Sequence, residues 1–304
     1  MQTQILILGS GPAGCTAALY AASAGFKTTM LMGICPGGQL ILTDEIDNFP
    51  GEVGISGLDL TEKLIRQAEK AGAKLIYEQA EQVYWERLPF IVRTSTGLKI
   101  EADSVIIATG ASAKWMGIQG ESRLIGHGIS VCATCDGPLF KNKQVAVIGG
   151  GNSAAYESLF LAKMCEKVYL IHTEKALRAE EILLRKIKGK QNIQILAETE
   201  VLAFEGDKKL SDIVIKNKKT NLVTKLFVAG VFEAVGRIPN TQLFQKQLDL
   251  TPDGYIVTKP ETLETSVRGV FACGDVQEQS YQQAVIAAAA GCRAALSAKR
   301  MLIG

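Results

Sequence analysis

Ile5-Leu6-Ile7-Leu8-Gly9-Ser10-Gly11-Pro12-Ala13-Gly14 decides how the rest of the chain is read. Four consecutive apolar residues fit a parallel strand covered on both faces, and they run straight into G-x-G-x-x-G. In a strand-turn-helix the first glycine permits the tight turn and the second lets backbone approach a pyrophosphate. The third allows the following helix, expected over Cys15 to Ala24, to pack on the strand. The N-H groups at the start of that helix would face phosphate. The second strand, Thr28 to Leu31, ends at Met32-Gly33, where an acidic residue usually takes the ribose hydroxyls.

The same pattern returns further along. Val145-Ala146-Val147-Ile148 is followed by Gly149-Gly150-Gly151-Asn152-Ser153-Ala154, of the form G-x-G-x-x-A, with a helix expected over Ala155 to Met164 and a strand at Val168 to Ile171. One such turn is a weak signal, but two, each opening its own βαβ pattern, predict an α/β chain holding two dinucleotides. The pattern lapses around Trp115 to Gly120 and again over Ala234 to Asn240, which read as linkers. These give a discontinuous first domain, residues 1–115 with 243–304, and a second over 116–242.

Between the two turns lies Cys132-Ala133-Thr134-Cys135-Asp136. Two thiols this close can form a disulfide, and the adjacent carboxylate can give or take the proton that each thiolate step requires. The alternative is half of a zinc site. Neither the other cysteines (Cys15, Cys35, Cys165, Cys273, Cys292) nor His127 and His172 supply a second pair at ligand spacing, so no metal is expected.

Other segments complete the outline. Gly57 to Gly72 has apolar residues at helical spacing. Lys74 to Tyr84, Phe90 to Thr94 and Leu98 to Ile100 alternate like strands and are expected to form an antiparallel insertion packed on the main sheet, which includes Ser104 to Ala108. In the second half, helix is expected over Ala179 to Lys188 and strand at Ile193 to Leu196, Ile213 to Lys216 and Phe227 to Val231. Val270 to Cys273 reads as a short strand ending in Gly274-Asp275, before an Ala-rich helix from about Ser280 to Arg300.

Composition excludes several classes. With 304 residues, Lys+Arg 33 against Asp+Glu 31 and 47% hydrophobic content, the chain has no electrostatic footprint for nucleic acid. Its longest apolar stretch near the C-terminus, Ala284 to Ala290, is far below the roughly 20 residues of a membrane-crossing helix. The N-terminus enters a strand with no basic segment or cleavage site, and the 7 cysteines are scattered. A cytoplasmic protein is expected.

Gly9 to Gly14, Gly37-Gly38-Gln39-Leu40, Ala108-Thr109-Gly110-Ala111, Cys132 to Asp136, Gly149 to Ala154, Gly236 with Pro239-Asn240, and Gly274-Asp275 stand in the order and spacing of the low-molecular-weight thioredoxin reductases. The chain resembles that family over essentially its whole length. The resemblance implies two Rossmann-like, three-layer ββα nucleotide-binding domains of the pyridine nucleotide-disulfide oxidoreductase type, the first built from both ends of the chain to hold FAD. It also implies a homodimer that passes electrons from NADPH or NADH through FAD and a Cys132/Cys135 disulfide to thioredoxin or a thioredoxin-like dithiol protein. Implied FAD contacts are Gly9, Ser10, Gly11, Pro12, Ala13, Gly38, Gln39, Leu40, Asn48, Thr109, Gly110, Gly274, Asp275, Gln283 and Ala284. Gly149, Gly151, Asn152, Ser153, Ala154, His172 and Arg178 would contact the nicotinamide nucleotide. Cys135 would lie against the flavin, Cys132 would be the interchange thiol, and Asp136 the acid-base residue.

Two departures bear on the donor and the flavin. Family members carry His-Arg-Arg-x-x-x-Arg, whose arginines hold the 2'-phosphate of NADPH; here the stretch is His172-Thr173-Glu174-Lys175-Ala176-Leu177-Arg178. Each missing guanidinium removes a charge-assisted contact of roughly 1.5 to 3 kcal/mol, so little discrimination in favour of NADPH is expected. Tyr281-Gln282-Gln283-Ala284 lacks the arginine of the family's Tyr-Arg-Gln-Ala. Alternatives are the same reductase fed by reduced ferredoxin, and a non-catalytic flavin-binding redox sensor.

Overall fold

The computed structural model describes residues 1–43 and 45–304. The chain forms two compact units, Met1–Ser112 with Ile238–Gly304, and Ala113–Arg237. Among the described residues no helix is long and apolar enough to cross a membrane.

The first unit opens β1 (Gln2–Leu8), α1 (Pro12–Ser23), β2 (Thr28–Leu31), α2 (Gly57–Lys70), β3 (Lys74–Ile76), β4 (Ala80–Tyr84), β5 (Phe90–Thr94) and β6 (Lys99–Ile107). The sheet order is β3-β2-β1-β6-β5-β4, with β1 parallel to both β2 and β6. Successive residues of β1 point to opposite faces, and both faces are covered. Ile5 and Ile7 enter a core with the alanines of α1 and of the C-terminal helix Ala284–Ile303. Leu6 and Leu8 enter a second core with Val92, Ile107 and Phe244. Each of the four is at most 2% exposed, and burial of such a side chain contributes about 1.5 to 3 kcal/mol. That is why the run carries no polar alternation.

The strand layout corrects the expected insertion. Lys74–Ile76 is a parallel strand on the outer side of β2, while β4 and β5 extend the main sheet edge to edge. The strands expected at Leu98 to Ile100 and Ser104 to Ala108 are joined in the single strand β6, Lys99–Ile107, whose polar Glu101 and Asp103 look like a break in sequence. From Glu101 onward, one edge of β6 pairs with β1. On the other edge its first half meets β5 antiparallel (Phe90 opposite Ala102), and its second half meets the strand Val270–Ala272 in parallel (Val270 opposite Val105). The two helices that start in glycine turns, α1 and Asn152–Leu161, begin inside their motifs rather than after them, with Pro12 in the first turn of α1 where its missing N-H costs nothing. The C-terminal helix starts at Ala284 rather than Ser280.

The second unit has a parallel sheet in the order Ile193–Leu196, Lys167–Ile171, Gln144–Ile148, Gly230–Glu233, Ile129–Ser130. An antiparallel sheet of Thr199–Glu205, Asp212–Asn217 and Val223–Phe227 shares a core with one of its faces through Ala146, Ile148, Phe204 and Ile213. The helices Asn152–Leu161 and Glu181–Lys188 share a core with the other face through Val145, Val147, Leu161 and Leu183. These are the three layers of a ββα domain. The stretch expected as one strand, Phe227 to Val231, is divided between the two sheets. At Gly230, the first residue of the second piece, a Cβ would lie 2.6 Å from the Phe140 ring. Thr199–Glu205 carries a register shift between Val201 and Ala203, which breaks the alternation that would have marked it in sequence.

Candidate functional site

In the first unit the turn between β1 and α1 separates packing from binding. A Cβ on Gly9 would lie 2.3 Å from the Ala108 carbonyl oxygen, and one on Gly14 would lie 2.0 Å from that of Gly9, so protein backbone explains both. Gly11 differs: the nearest atom to a Cβ there is the Gly37 carbonyl oxygen at 3.9 Å. Gly11 is also the N-cap of α1 and offers no side-chain cap, which leaves the first turn open to an anion. The cradle therefore fits a dinucleotide pyrophosphate. Ser10 donates its hydroxyl to the Met32 carbonyl (2.6 Å) and accepts the Gly37 N-H (3.1 Å), joining this turn to the Gly37-Gly38 loop. Met32, at the usual ribose position, is buried in the core and offers no acceptor side chain.

The remaining first-unit candidates have differing roles. Gln39 is exposed on the turn Gly38–Leu42, whereas Leu40 packs with Ile46, Ile55 and Leu60 and anchors that turn. Asn48 donates its amide to the Gln283 side chain at 3.4 Å, and Gln283 is the N-cap of the helix that starts at Ala284. Thr109 donates its hydroxyl to the Asn240 carbonyl (2.8 Å), Asn240 returns its side-chain amide to the Thr109 carbonyl (2.8 Å), and its N-H goes to Gly110 (3.0 Å). The side chain of Thr109 thus fastens the returning chain. Gly274 has φ +74, and a Cβ on it would be 2.8 Å from Cβ of Ala13, so the turn bearing Asp275 lies against the start of α1. Gln282 donates to the Glu278 carbonyl at 3.2 Å.

In the second unit Cys132 and Cys135 form a disulfide with Cα atoms 5.3 Å apart. Cys132 is the N-cap of the short helix Ala133–Asp136, and its carbonyl accepts the N-H groups of Cys135 (3.2 Å) and Asp136 (3.1 Å). Gly137 lets this turn lie on the helix Asn152–Leu161, where a Cβ would come 3.1 Å from Leu161. Ser130, buried at the end of its strand, donates its hydroxyl to the Asp136 carboxylate and accepts the Cys132 N-H at 3.0 Å. Sequence reasoning missed Ser130, because a serine two residues before a cysteine carries no signal of its own. Burial pushes the thiols of Cys15 and Cys273 up to about 12 and that of Cys165 up to about 11, which keeps all three protonated and unreactive.

The second glycine turn repeats the logic of the first. A Cβ on Gly149 would lie 2.5 Å from the Ala234 carbonyl oxygen and 3.0 Å from Cβ of Ala154, while nothing lies within 4 Å of one on Gly151. Gly151 is an N-cap without a side-chain cap. Asn152 donates its amide to Glu180 (2.9 Å) and accepts the Glu180 N-H (2.8 Å); Ser153 is exposed on the first turn and Ala154 is buried. His172 is buried, and burial lowers its pKa against the pull of Glu174. Arg178 lies 3.3 Å from the Glu174 carboxylate. This end of the unit fits a second dinucleotide.

Three carboxyls also went unread in sequence. Glu121 accepts the N-H groups of Met116 (2.9 Å) and Gly117 (2.9 Å), and Glu233 shares the Met116 N-H at 3.3 Å. Burial, then the adjacent Glu121 carboxylate, pushes Glu233 up to about 8. Burial pushes Glu157, on the helix Asn152–Leu161, up to about 7 against the opposing charge of Arg237.

Residues 3–291 match the family model for pyridine nucleotide-disulphide oxidoreductases. The thioredoxin reductase of Rickettsia conorii is 42% identical over 99% of this chain and 98% of that protein. Thioredoxin reductase 2 of Arabidopsis thaliana is 43% identical over 99% of this chain and 82% of that one. Among solved structures, a thioredoxin reductase from Giardia duodenalis superposes with a TM-score of 0.93 at 36% identity, covering 100% of this chain and 99% of its own. With two nucleotide cradles and a disulfide in a Cys-x-x-Cys turn already evident, this likeness over the full length decides the question: the chain belongs to the pyridine nucleotide-disulphide oxidoreductases and, within them, to the thioredoxin reductases.

Proposed function

We propose that the chain is an FAD-dependent thioredoxin-disulfide reductase, working as a cytoplasmic homodimer, in which electrons from a nicotinamide nucleotide leave through Cys132 and Cys135. The observation that carries this reading is the Cys132–Cys135 disulfide, beside which Ser130 bonds both the Cys132 N-H and the Asp136 carboxylate. Gly9 to Ala13 and the Gly274-Asp275 turn would hold FAD, and Gly149 to Ala154 the nicotinamide nucleotide. Bound FAD would supply two-electron transfer between that donor and the disulfide. Two electrons and two protons open the disulfide to a dithiol. The Cys132 thiolate attacks one sulfur of oxidised thioredoxin, forming a mixed disulfide and releasing the other thioredoxin sulfur as a thiolate. Cys135 then attacks the Cys132 sulfur, closing the internal disulfide and freeing reduced thioredoxin. Asp136, held by Ser130, carries protons between these sulfurs and water.

A second reading, the same reductase fed by reduced ferredoxin, draws on the pairing of Arg178 with Glu174, which leaves the nucleotide site poor in free positive charge. Reduction of oxidised thioredoxin by the FAD-loaded protein, with NADH, NADPH and reduced ferredoxin supplied in turn, tests the proposal and separates the donors. Turnover with any of the three, lost when either cysteine is replaced, supports a thioredoxin reductase. Flavin reduction without thioredoxin reduction would leave only a flavin-binding sensor.

A further inference from the structure

We propose that Glu174 makes the second nucleotide site selective for a nicotinamide nucleotide with a free 2'-hydroxyl, that is, NAD(H) rather than its 2'-phosphorylated form. This rests on the reading of Gly149 to Ala154 as the donor site. In a βαβ nucleotide unit, the tip of the second strand, about 20 residues past the glycine turn, meets the adenosine ribose. A carboxylate there accepts from the ribose hydroxyls, whereas a guanidinium favours a 2'-phosphate.

Here the second strand is Lys167–Ile171, and its last residue pairs with Ile148 immediately before the glycines. The segment that follows is tied down at both ends. His172 donates its N-H to Leu196 (3.1 Å), the Glu174 carbonyl accepts the Glu198 N-H (3.0 Å), and the Arg178 N-H donates to Gly150 inside the turn (2.7 Å). Whatever charge the segment carries is therefore held beside the cradle. Arg178 is its one guanidinium, and Nε lies 3.3 Å from Oε1 of Glu174. On the other side, Glu180 is fixed to Asn152 of the turn by reciprocal bonds of 2.9 and 2.8 Å. From His172 to Glu180, Lys175 and Arg178 give +2, Glu174 and Glu180 give −2, and the buried imidazole adds no cation.

A 2'-phosphate on Arg178 would have to displace Glu174 and remain next to it. The exposed pair contributes little stability by itself, so the exclusion comes from the repulsive carboxylate rather than from the strength of the ion pair. A ribose diol meets no such opposition and provides the donors that a carboxylate accepts.

Equilibrium binding of NAD+ and NADP+ to the oxidised, FAD-loaded protein tests this without turnover. NAD+ should bind at least as tightly as NADP+. Glu174→Gln should improve NADP+ binding relative to NAD+ by about tenfold, and adding Arg178→Ala should erase that gain. NADP+ binding tenfold tighter than NAD+ to the unaltered chain, or an unchanged ratio in Glu174→Gln, would overturn the selectivity while leaving the donor site standing. If neither nucleotide binds at millimolar levels, the donor-site reading falls and the selectivity with it.

Discussion

The hydroxyl of Ser130 donates to the carboxylate of Asp136, and the same oxygen accepts the Cys132 N-H. A carboxylate that receives a hydrogen bond is stabilised in its charged form, so Ser130→Ala should raise the pKa of Asp136. The acidic limb of the pH–rate profile for thioredoxin reduction should move to higher pH, and kcat should fall about tenfold, within the range of a disturbed acid-base residue. Ser130→Thr should restore both. An unchanged profile would mean that Ser130 serves only to shape the turn.

Replacement of either cysteine separates their roles. Cys132→Ser and Cys135→Ser should each retain FAD and lose thioredoxin reduction, because in the proposed cycle each sulfur performs a different exchange. With Cys135→Ser, a single-cysteine thioredoxin activated as a disulfide with a small, good leaving thiol should be captured as a lasting mixed disulfide through Cys132, detectable on a non-reducing gel. Cys132→Ser should form much less of it. Equal trapping by both variants would refute the division between interchange and internal thiol.

Gly11 and Gly14 of the first turn should respond differently to enlargement. Gly11→Val places its Cβ where the nearest atom is 3.9 Å away, so the apoprotein should unfold near the temperature of the unaltered chain while binding little FAD. Gly14→Ala would place its Cβ 2.0 Å from the Gly9 carbonyl oxygen and should destabilise even the apoprotein, by about 1 to 3 kcal/mol. Thermal unfolding and flavin absorbance measure both. Full FAD occupancy in Gly11→Val would remove the cradle assignment.

Glu233 ionises in the folded chain only near pH 8, well above the roughly 4.3 of an exposed glutamate. A raised carboxyl pKa means that the unfolded chain releases its proton first, so the contribution to stability is complete below about pH 4 and declines until pH passes 8. The thermal midpoint should therefore fall between pH 5 and pH 8, and Glu233→Gln should flatten that fall. Glu157, raised to about 7, adds a fall of the same sign over a narrower range that ends near pH 7. Parallel slopes for the two proteins would show that Glu233 does not titrate in this range.

The sequence carried the parts of the fold in which local chemistry and tertiary structure agree. Ile5 to Leu8 and Val145 to Ile148 are buried on both faces and read as unbroken apolar runs. Of the glycines that follow them, Gly9, Gly14 and Gly149 stand where backbone carbonyls exclude a side chain. The reading failed where a strand serves two partners or changes register. β6 looked like two strands because polar residues lie between its two apolar segments, and the bulge near Leu202 hid Thr199–Glu205. At the site, Cys132, Cys135 and Asp136 were legible because their spacing has a chemical meaning. Ser130, Glu121 and Glu233 were not, since their importance arises only from partners distant in sequence or from burial. Thr109, read from its motif alone, also has a partner that sequence did not show, since its hydroxyl donates to the Asn240 carbonyl.

In the proposed cycle, electrons supplied to the flavin emerge at Cys132 and Cys135. The direct measurement is anaerobic reduction of the FAD-loaded protein with one equivalent of donor, quenching with an alkylating reagent, and mass mapping of labelled cysteines before and after oxidised thioredoxin is added. The expected result is two new labels, on Cys132 and Cys135, both lost when thioredoxin is present, with an equal amount of thioredoxin dithiol formed. Flavin bleaching with Cys132 and Cys135 unlabelled, or labels that persist in the presence of oxidised thioredoxin, would contradict it.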